Sequence, residues 1–285
     1  MVAVTDAHTQ MVESQIVGAM LSHAGRVREH NEDAVLYCIP HPDDSAAQLG
    51  VLALVADGMG GHAAGEVASA IAARTIRLLF YKEYVPVANA LANAFSVANR
   101  LIYEESARNP DYEGMGTTCT AIVVRDQHLW LAHVGDSRAY IVRGGRIHQV
   151  SDDHSLVAAL VRDGTMTPED AATSPERNVI LQALGTKPAV EPQIWDEGLP
   201  LRDGDTIVLC SDGLSDLVDD ETIAATVAGH EPIEACQRLV DAALTAGGHD
   251  NISAGVFTLV SKPSRPARER PTRTTDVRAL LGDVS

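Results

Sequence analysis

The sequence predicts an α+β fold: a four-layer α-β-β-α sandwich, in which two antiparallel sheets are flanked by helix pairs. Short apolar runs of strand length, rich in Val, Ile and Leu, recur along the chain. Helix-like stretches come in pairs rather than singly between strands, which favours segregated layers over a repeated β-α-β unit. The segment "RAYIV-RGG-RIHQV" reads as a hairpin, with Gly144 and Gly145 supplying the turn.

In chain order, "QIVGAML" and "AVLYCI" give the first strands, and "GVLALVA" a third that ends at Asp57 and then in glycines. Helical patterns follow over roughly Ala64 to Tyr81 and Pro86 to Glu105. "TTCTAIVV", "HLWLAHV" and the hairpin add further strands. An excursion over about 152–178 then carries two short helical pieces, and its placement suggests a surface element over a site. "DTIVLC", a second helix pair (roughly Asp220 to Ala228 and Pro232 to Ala246) and "NISAGVFTLV" complete one domain over 13–260. Residues 1–12 are expected to be a disordered N-terminus. Residues 261–285, rich in Arg, Pro and Thr, are expected to be a disordered tail.

Composition narrows the partners. Lys+Arg 22 against Asp+Glu 39 gives a formal charge of -17, which disfavours nucleic acid and attracts cations. The tail runs against this trend, with six basic and three acidic residues from Lys262 onward. Its arginines would suit an acidic partner, and Thr272, Thr274 and Thr275 among them would suit a kinase. The four cysteines (Cys38, Cys119, Cys210, Cys236) lack CxxC spacing and read as reduced core residues. No apolar segment has the length of a membrane span, and the N-terminus lacks a signal-peptide pattern, so a cytoplasmic location is expected.

Three segments share one grammar: "VLALVADG", "LWLAHVGDS" and "TIVLCSDG" run apolar and then place Asp57, Asp136 and Asp212 beside a small residue. "GGHDNISAGVF" sets Asp250 just before a strand. One such aspartate is an ordinary turn residue. Four of them on sheets that share a rim would repel unless protonated or neutralised by cations. An all-oxygen donor set points to Mg²⁺ or Mn²⁺ rather than zinc. Upstream, "GRVREHNEDAVLY" adds Arg28, Glu32 and Asp33. In a strand the two acids face opposite ways, so only one coordinates directly and the other holds a water. Gly58, Gly60 and Gly61 permit a tight turn and close backbone approach. Gly58-Met59-Gly60 with Ala63 also fits a dinucleotide-binding turn, but no second strand with an acidic end follows at the required distance. Ser137 lacks the spacing of a hydrolase nucleophile.

The motifs "VREHNEDA", "VADGMGGHAAGEVAS", "GMGTTCTA", "HVGDSRAY", "DHSLV", "RNVILQALG", "LCSDGLSDLV" and "GGHDNISA", in this order over roughly residues 16 to 260, resemble those of the type 2C (PPM) metal-dependent serine/threonine phosphatases, bacterial type. The resemblance implies that Asp57 bridges two ions, with Glu32 and the Gly58 carbonyl completing one site and Asp212 and Asp250 the other. It also implies that Asp33 holds a water, that Asp136 with Asp212 forms a third, weaker position, and that Arg28 binds phosphate. Two Mn²⁺ or Mg²⁺ ions would then activate a bridging water for attack on phosphorus. Where some relatives carry a histidine, this chain has Met59, which leaves the leaving-group acid open; His62 matches no catalytic position, and His154 is a candidate. The excursion aligns with the family's flap and is expected to influence substrate choice.

The reading is therefore a monomeric protein phosphatase acting on phosphoserine and phosphothreonine and opposing a bacterial Ser/Thr kinase. A silent phosphoprotein-binding module and a hydrolase of small phosphate esters are the alternatives.

Overall fold

The computed structural model describes residues 13–41, 48–60, 64–82 and 85–262. The expected N-terminal and C-terminal disorder over 1–12 and from 263 onward, with Thr272, Thr274 and Thr275, lies outside the described residues. So do Gly61 and His62.

The chain opens with β1 (Glu13–His23), β2 (Asp33–Cys38) and β3 (Val51–Met59), followed by α1 (Ala64–Phe80) and α2 (Val87–Arg108). Next come β4 (Gly116–Thr117), β5 (Cys119–Arg125), β6 (His128–Val134), β7 (Arg138–Arg143) and β8 (Arg146–Gln149). The excursion contains α3 (Leu156–Arg162) and α4 (Pro168–Thr173). The last part holds β9 (Gln193–Ile194), β10 (Leu199–Pro200), β11 (Thr206–Cys210), α5 (Asp212–Ser215), α6 (Asp220–Gly229), α7 (Pro232–Thr245) and β12 (Ile252–Lys262).

Among the described residues the strands form two antiparallel sheets, one ordered β1-β12-β11-β7-β8 and the other β10-β6-β5-β3-β2, with β4 on β3 and β9 on β6. Strand alternation builds three apolar layers from them. Along β3, Leu52, Leu54 and Ala56 pack under α1 and α2, while Ala53 and Val55 point between the sheets. Along β11, Ile207 and Leu209 join that central layer, and Val208 and Cys210 pack under α6 and α7. Both faces of these strands are covered, so their sequences read as continuous apolar runs rather than as alternation.

Each helix meets its sheet through residues one turn apart: Ala64, Ala68, Ala72, Ile76 and Phe80 in α1, and Leu91, Phe95, Ala98 and Ile102 in α2, are all buried. In α7, Ala235, Cys236, Leu239, Val240 and Ala243 do the same, and Pro232 occupies the first turn, where a missing N–H costs nothing. The β7–β8 turn has Gly144 and Gly145 at φ 57 and 76, the left-handed pair of a two-residue hairpin. β12 runs to Lys262, past the boundary expected at 260, because β1 continues to pair with it down to Glu13 opposite Lys262.

Register brings the acidic residues to one rim. Asp33 lies opposite Asp57 across β2 and β3. Cys210 pairs with both Arg138 and Ala254, so Asp212, Asp136 and Asp250 each fall a few residues beyond the same end of their sheet.

Candidate active site

Asp57 lies two residues before the end of β3, and Asp212 lies two residues after β11 in the facing sheet. The Asp57 and Asp212 carboxyls face each other across the gap, close enough for each to act on the other's protonation. Burial first, and then the charges of Asp33 and Asp212, push the Asp57 carboxyl well above the ordinary carboxylate range. Burial raises Asp212 to about 6. Two buried acids this close cannot both ionise unless positive charge joins them.

Backbone and side-chain bonds hold Asp57 on both sides. Its N–H donates to Thr118 Oγ1 at 2.9 Å, and its carbonyl accepts from the Thr118 N–H and from Thr117 Oγ1, each at 2.9 Å. Across the strand pair, Asp33 Oδ2 accepts from Ser211 Oγ at 2.8 Å and Ser253 Oγ at 2.6 Å. Burial nevertheless raises the Asp33 carboxyl to about 7. Asp136, between β6 and β7, is raised to about 7 by burial and by the charge of Asp212.

Glu32 precedes β2 and is placed by its backbone: its N–H donates to Asn251 Oδ1 at 2.7 Å and its carbonyl accepts from Ser69 Oγ at 2.6 Å. The Glu32 carboxylate lies against Gly65, where a Cβ would stand 2.7 Å from Oε2, and a Cβ on Gly58 would stand 2.1 Å from the Gly65 carbonyl oxygen. The glycines let the end of β3, the start of α1 and the Glu32 loop touch. Met59 continues β3 opposite Gly116.

Asn251 pins that loop from β12's side, donating to the Ala24 and His30 carbonyls at 3.0 and 2.9 Å. Beside it, Arg28 Nη2 donates to Asp250 Oδ2 at 2.7 Å, with both side chains partly open to solvent. The hydrogen bond to Asp250 raises the Arg28 guanidinium's pKa further. Arg28, Glu32, Gly60 and Asn251 line a small pocket of about 170 Å³. A larger cleft of about 570 Å³ lies between the α3–α4 excursion and the rim, with Asp136 and Asp212 in its wall beside Val157, Ala171 and Arg177.

His154 at the excursion's root is buried and accepts the Gly135 N–H at Nδ1, 3.2 Å away; burial lowers its pKa. Its ring thereby holds the turn before Asp136, a positioning task. The sequence alone does not single out Asn251, Ser211 and Ser253. Their only signal there is a polar residue beside an aspartate at a strand end, in "CSDG" and "HDNIS".

The donor set fits hard divalent cations. Asp33 Oδ1, Asp136 Oδ1 and Asp212 Oδ1 are buried oxygen atoms without a hydrogen-bond partner, a costly arrangement for acceptors that nothing satisfies. Among the described residues no three His, Cys, Asp or Glu side chains close into a ready-made cage. Asp57 faces Asp212, Asp250 is bonded to Arg28, and Asp33 to two serines.

Comparison with known proteins agrees with this architecture. A family model described as Protein phosphatase 2C matches residues 22–245. The serine/threonine protein phosphatase PstP of Mycobacterium tuberculosis is 42% identical over 245 residues, covering 85% of this chain and 45% of PstP, so the chain spans about half the length of that relative. The protein phosphatase PhpP of Streptococcus pneumoniae is 31% identical over 246 residues, covering 85% of this chain and 96% of PhpP. The crystal structure of the PstP catalytic domain in complex with two manganese ions superposes with a TM-score of 0.76 at 38% identity, covering 87% of this chain and 100% of that one. The layered α+β sandwich is thus similar to that of the manganese-bound PstP catalytic domain. The chain belongs to the protein phosphatase 2C family.

Proposed function

We propose that the protein is a Mn²⁺- or Mg²⁺-dependent phosphatase of phosphoserine and phosphothreonine in proteins, opposing a Ser/Thr kinase in the cytoplasm. The observation that carries this reading is the Asp57–Asp212 carboxyl pair, buried between the sheets with unpartnered carboxylate oxygens around it. Asp57 would bridge two ions, with Glu32 and the Gly58 carbonyl on one side and Asp212 and Asp250 on the other. Asp33 would orient a water, and Asp136 with Asp212 would hold a third, weaker ion. Bound cations would supply the positive charge that lowers the pKa of water and offsets charge on the phosphoryl group.

The chain's own groups do the rest. Arg28 stands at the open edge of the pocket, and its planar fork can grip two phosphoryl oxygens when it releases Asp250. Asn251 and Ser69 hold the backbone of Glu32 on both sides. Thr117 and Thr118 fix the backbone of Asp57.

The same reading divides the chain into a catalytic domain over 13–260 with a flap at 152–178, and takes the protein as a monomer. Among the described residues, no helix is long and apolar enough to cross a membrane. Phosphate release from phosphothreonine, phosphoserine and phosphotyrosine peptides and from a small aryl phosphate tests the substrate class. Preference for the first two supports the proposal. Turnover of the aryl phosphate alone points to a small-ester hydrolase, and binding of phosphopeptides without turnover points to a silent module.

A further inference from the structure

His133 in β6 is completely buried and has no part in the site described above. Both of its ring nitrogens are engaged: Nδ1 with Thr120 Oγ1 at 2.8 Å, and Nε2 with the Asp152 carbonyl at 3.1 Å. Thr120 Oγ1 also lies 2.8 Å from the Ser137 carbonyl. Ser137 Oγ meets Thr118 Oγ1 at 2.7 Å, and that oxygen accepts the Asp57 N–H. Polar contacts therefore run unbroken from the root of the flap to the central aspartate. Gln193 grips the flap end of this chain, accepting from the Asp152 N–H at 2.9 Å and donating to Asp152 Oδ2 at 3.0 Å.

Counting protons shows a shortage. The Asp152 and Ser137 carbonyls only accept, and the three links between them each need one hydrogen. A neutral imidazole supplies one and the threonine hydroxyl another. A protonated ring would supply the third, but burial holds the His133 pKa down to about 3, so the ring stays neutral.

Two arrangements remain. In the first, Nε2–H donates to Asp152 and the Thr120 hydroxyl donates to Nδ1, which leaves the Ser137 carbonyl without this donor. In the second, Nδ1–H donates to Thr120 and the hydroxyl donates to Ser137, which releases Asp152. A third assignment would satisfy both carbonyls but set two lone pairs against each other across the 2.8 Å Nδ1–Oγ1 contact.

We propose that His133 is a positioning residue that couples the flap root to the Asp136–Ser137 turn, its tautomer deciding which of the two carbonyls is held. His154 reinforces the junction: its ring packs 4.9 Å from that of His133, its N–H donates to the Gly135 carbonyl at 2.7 Å, and its own carbonyl accepts the Leu181 N–H at 2.7 Å. Leu156 N–H closes the flap base on the Val179 carbonyl at 2.8 Å. A shift of the Asp136–Ser137 turn biases the flap base, and the reverse follows by linkage. The consequence for substrate access rests on the phosphatase reading; the coupling itself does not.

The test compares the native protein with Thr120→Val, which keeps the shape and removes the competing hydroxyl. Ring ¹⁵N shifts of His133 and hydrogen exchange at the Leu156 and Leu181 amides are measured without added metal. The native ring should show shifts intermediate between the two tautomers. The variant should show the Nε2–H tautomer alone and slow the two amides about five-fold, since the flap root is then always held. A native ring fixed as one tautomer overturns the proposal, and that spectrum decides even if the variant does not fold. A locked ring in the variant with unchanged exchange overturns it as well. Neither readout depends on turnover, so a failed phosphatase assay leaves them intact.

Discussion

The carboxyl of Asp57, on β3 of one sheet, faces that of Asp212, just beyond β11 of the other, and each shifts the other's protonation. This approach joins the two halves of the sandwich and places two ionisable carboxyls where water cannot screen them. Replacing Asp212 by Asn keeps the shape and removes one charge. The Asp212→Asn protein should therefore melt higher than the native protein at pH 7.5 without metal, yet gain little from Mn²⁺. Paired thermal melts with EDTA and with Mn²⁺ check both halves of this expectation.

The raised carboxyls also set a pH dependence. Asp33 and Asp136 at about 7 and Asp212 at about 6 keep their protons in the folded state at pH values where the unfolded chain has lost them. Below about pH 4 both states are protonated and the shift has no effect; as pH climbs towards 7 the unfolded state releases protons that the fold retains, and stability falls. Metal-free protein should thus lose stability from pH 5 to 7.5. Asp136→Asn should recover stability at both ends, by about 1–3 kcal/mol more at pH 7.5 than at pH 5. Urea titrations at the two pH values measure it.

Arg28 and Asp250 form a partly exposed pair, so Arg28→Lys should change stability by less than about 1 kcal/mol. The lysine keeps the charge but loses the planar fork. We expect KM for a phosphothreonine peptide to rise about ten-fold with kcat changed far less. Steady-state kinetics separates the two parameters, and an unchanged KM would remove Arg28 from phosphate recognition.

Asn251 joins three backbone groups of the 24–32 loop to β12. Asn251→Ala leaves the Glu32 N–H and two carbonyls without that partner, at a cost of about 2–4 kcal/mol. It should also weaken Mn²⁺ binding, because Glu32 loses its anchor; calorimetric titration gives that affinity. Gly65→Ala acts on the same carboxylate from the other side, since its Cβ would stand 2.7 Å from Glu32 Oε2.

Much of this architecture was legible because its signals are local. Strand-length apolar runs, helix pairs and the Gly144-Gly145 turn are set by short-range pattern, and the first helix was expected to start at Ala64, where α1 begins. Asp57, Asp136 and Asp212 each follow a buried run, so their position at strand ends could be read directly. What sheet packing decides was not legible: the Asp57–Asp212 contact, the Arg28–Asp250 pair across 222 positions, and the two serines on Asp33. The two-residue strands β9 and β10 carry too little pattern to stand out. His133 looked like one more residue of an apolar strand, and only its partners Thr120 and Asp152 give it meaning.

The central claim, that the inter-sheet acidic rim is a metal-dependent phosphatase centre, is tested most directly by phosphate release from a phosphothreonine peptide. Native protein and Asp212→Ala would be assayed in parallel with Mn²⁺ and with EDTA. The account predicts turnover by the native protein with Mn²⁺, none with EDTA, and a loss of at least about 100-fold in the variant. Equal turnover with EDTA, or a folded Asp212→Ala protein as active as the native one, would contradict it.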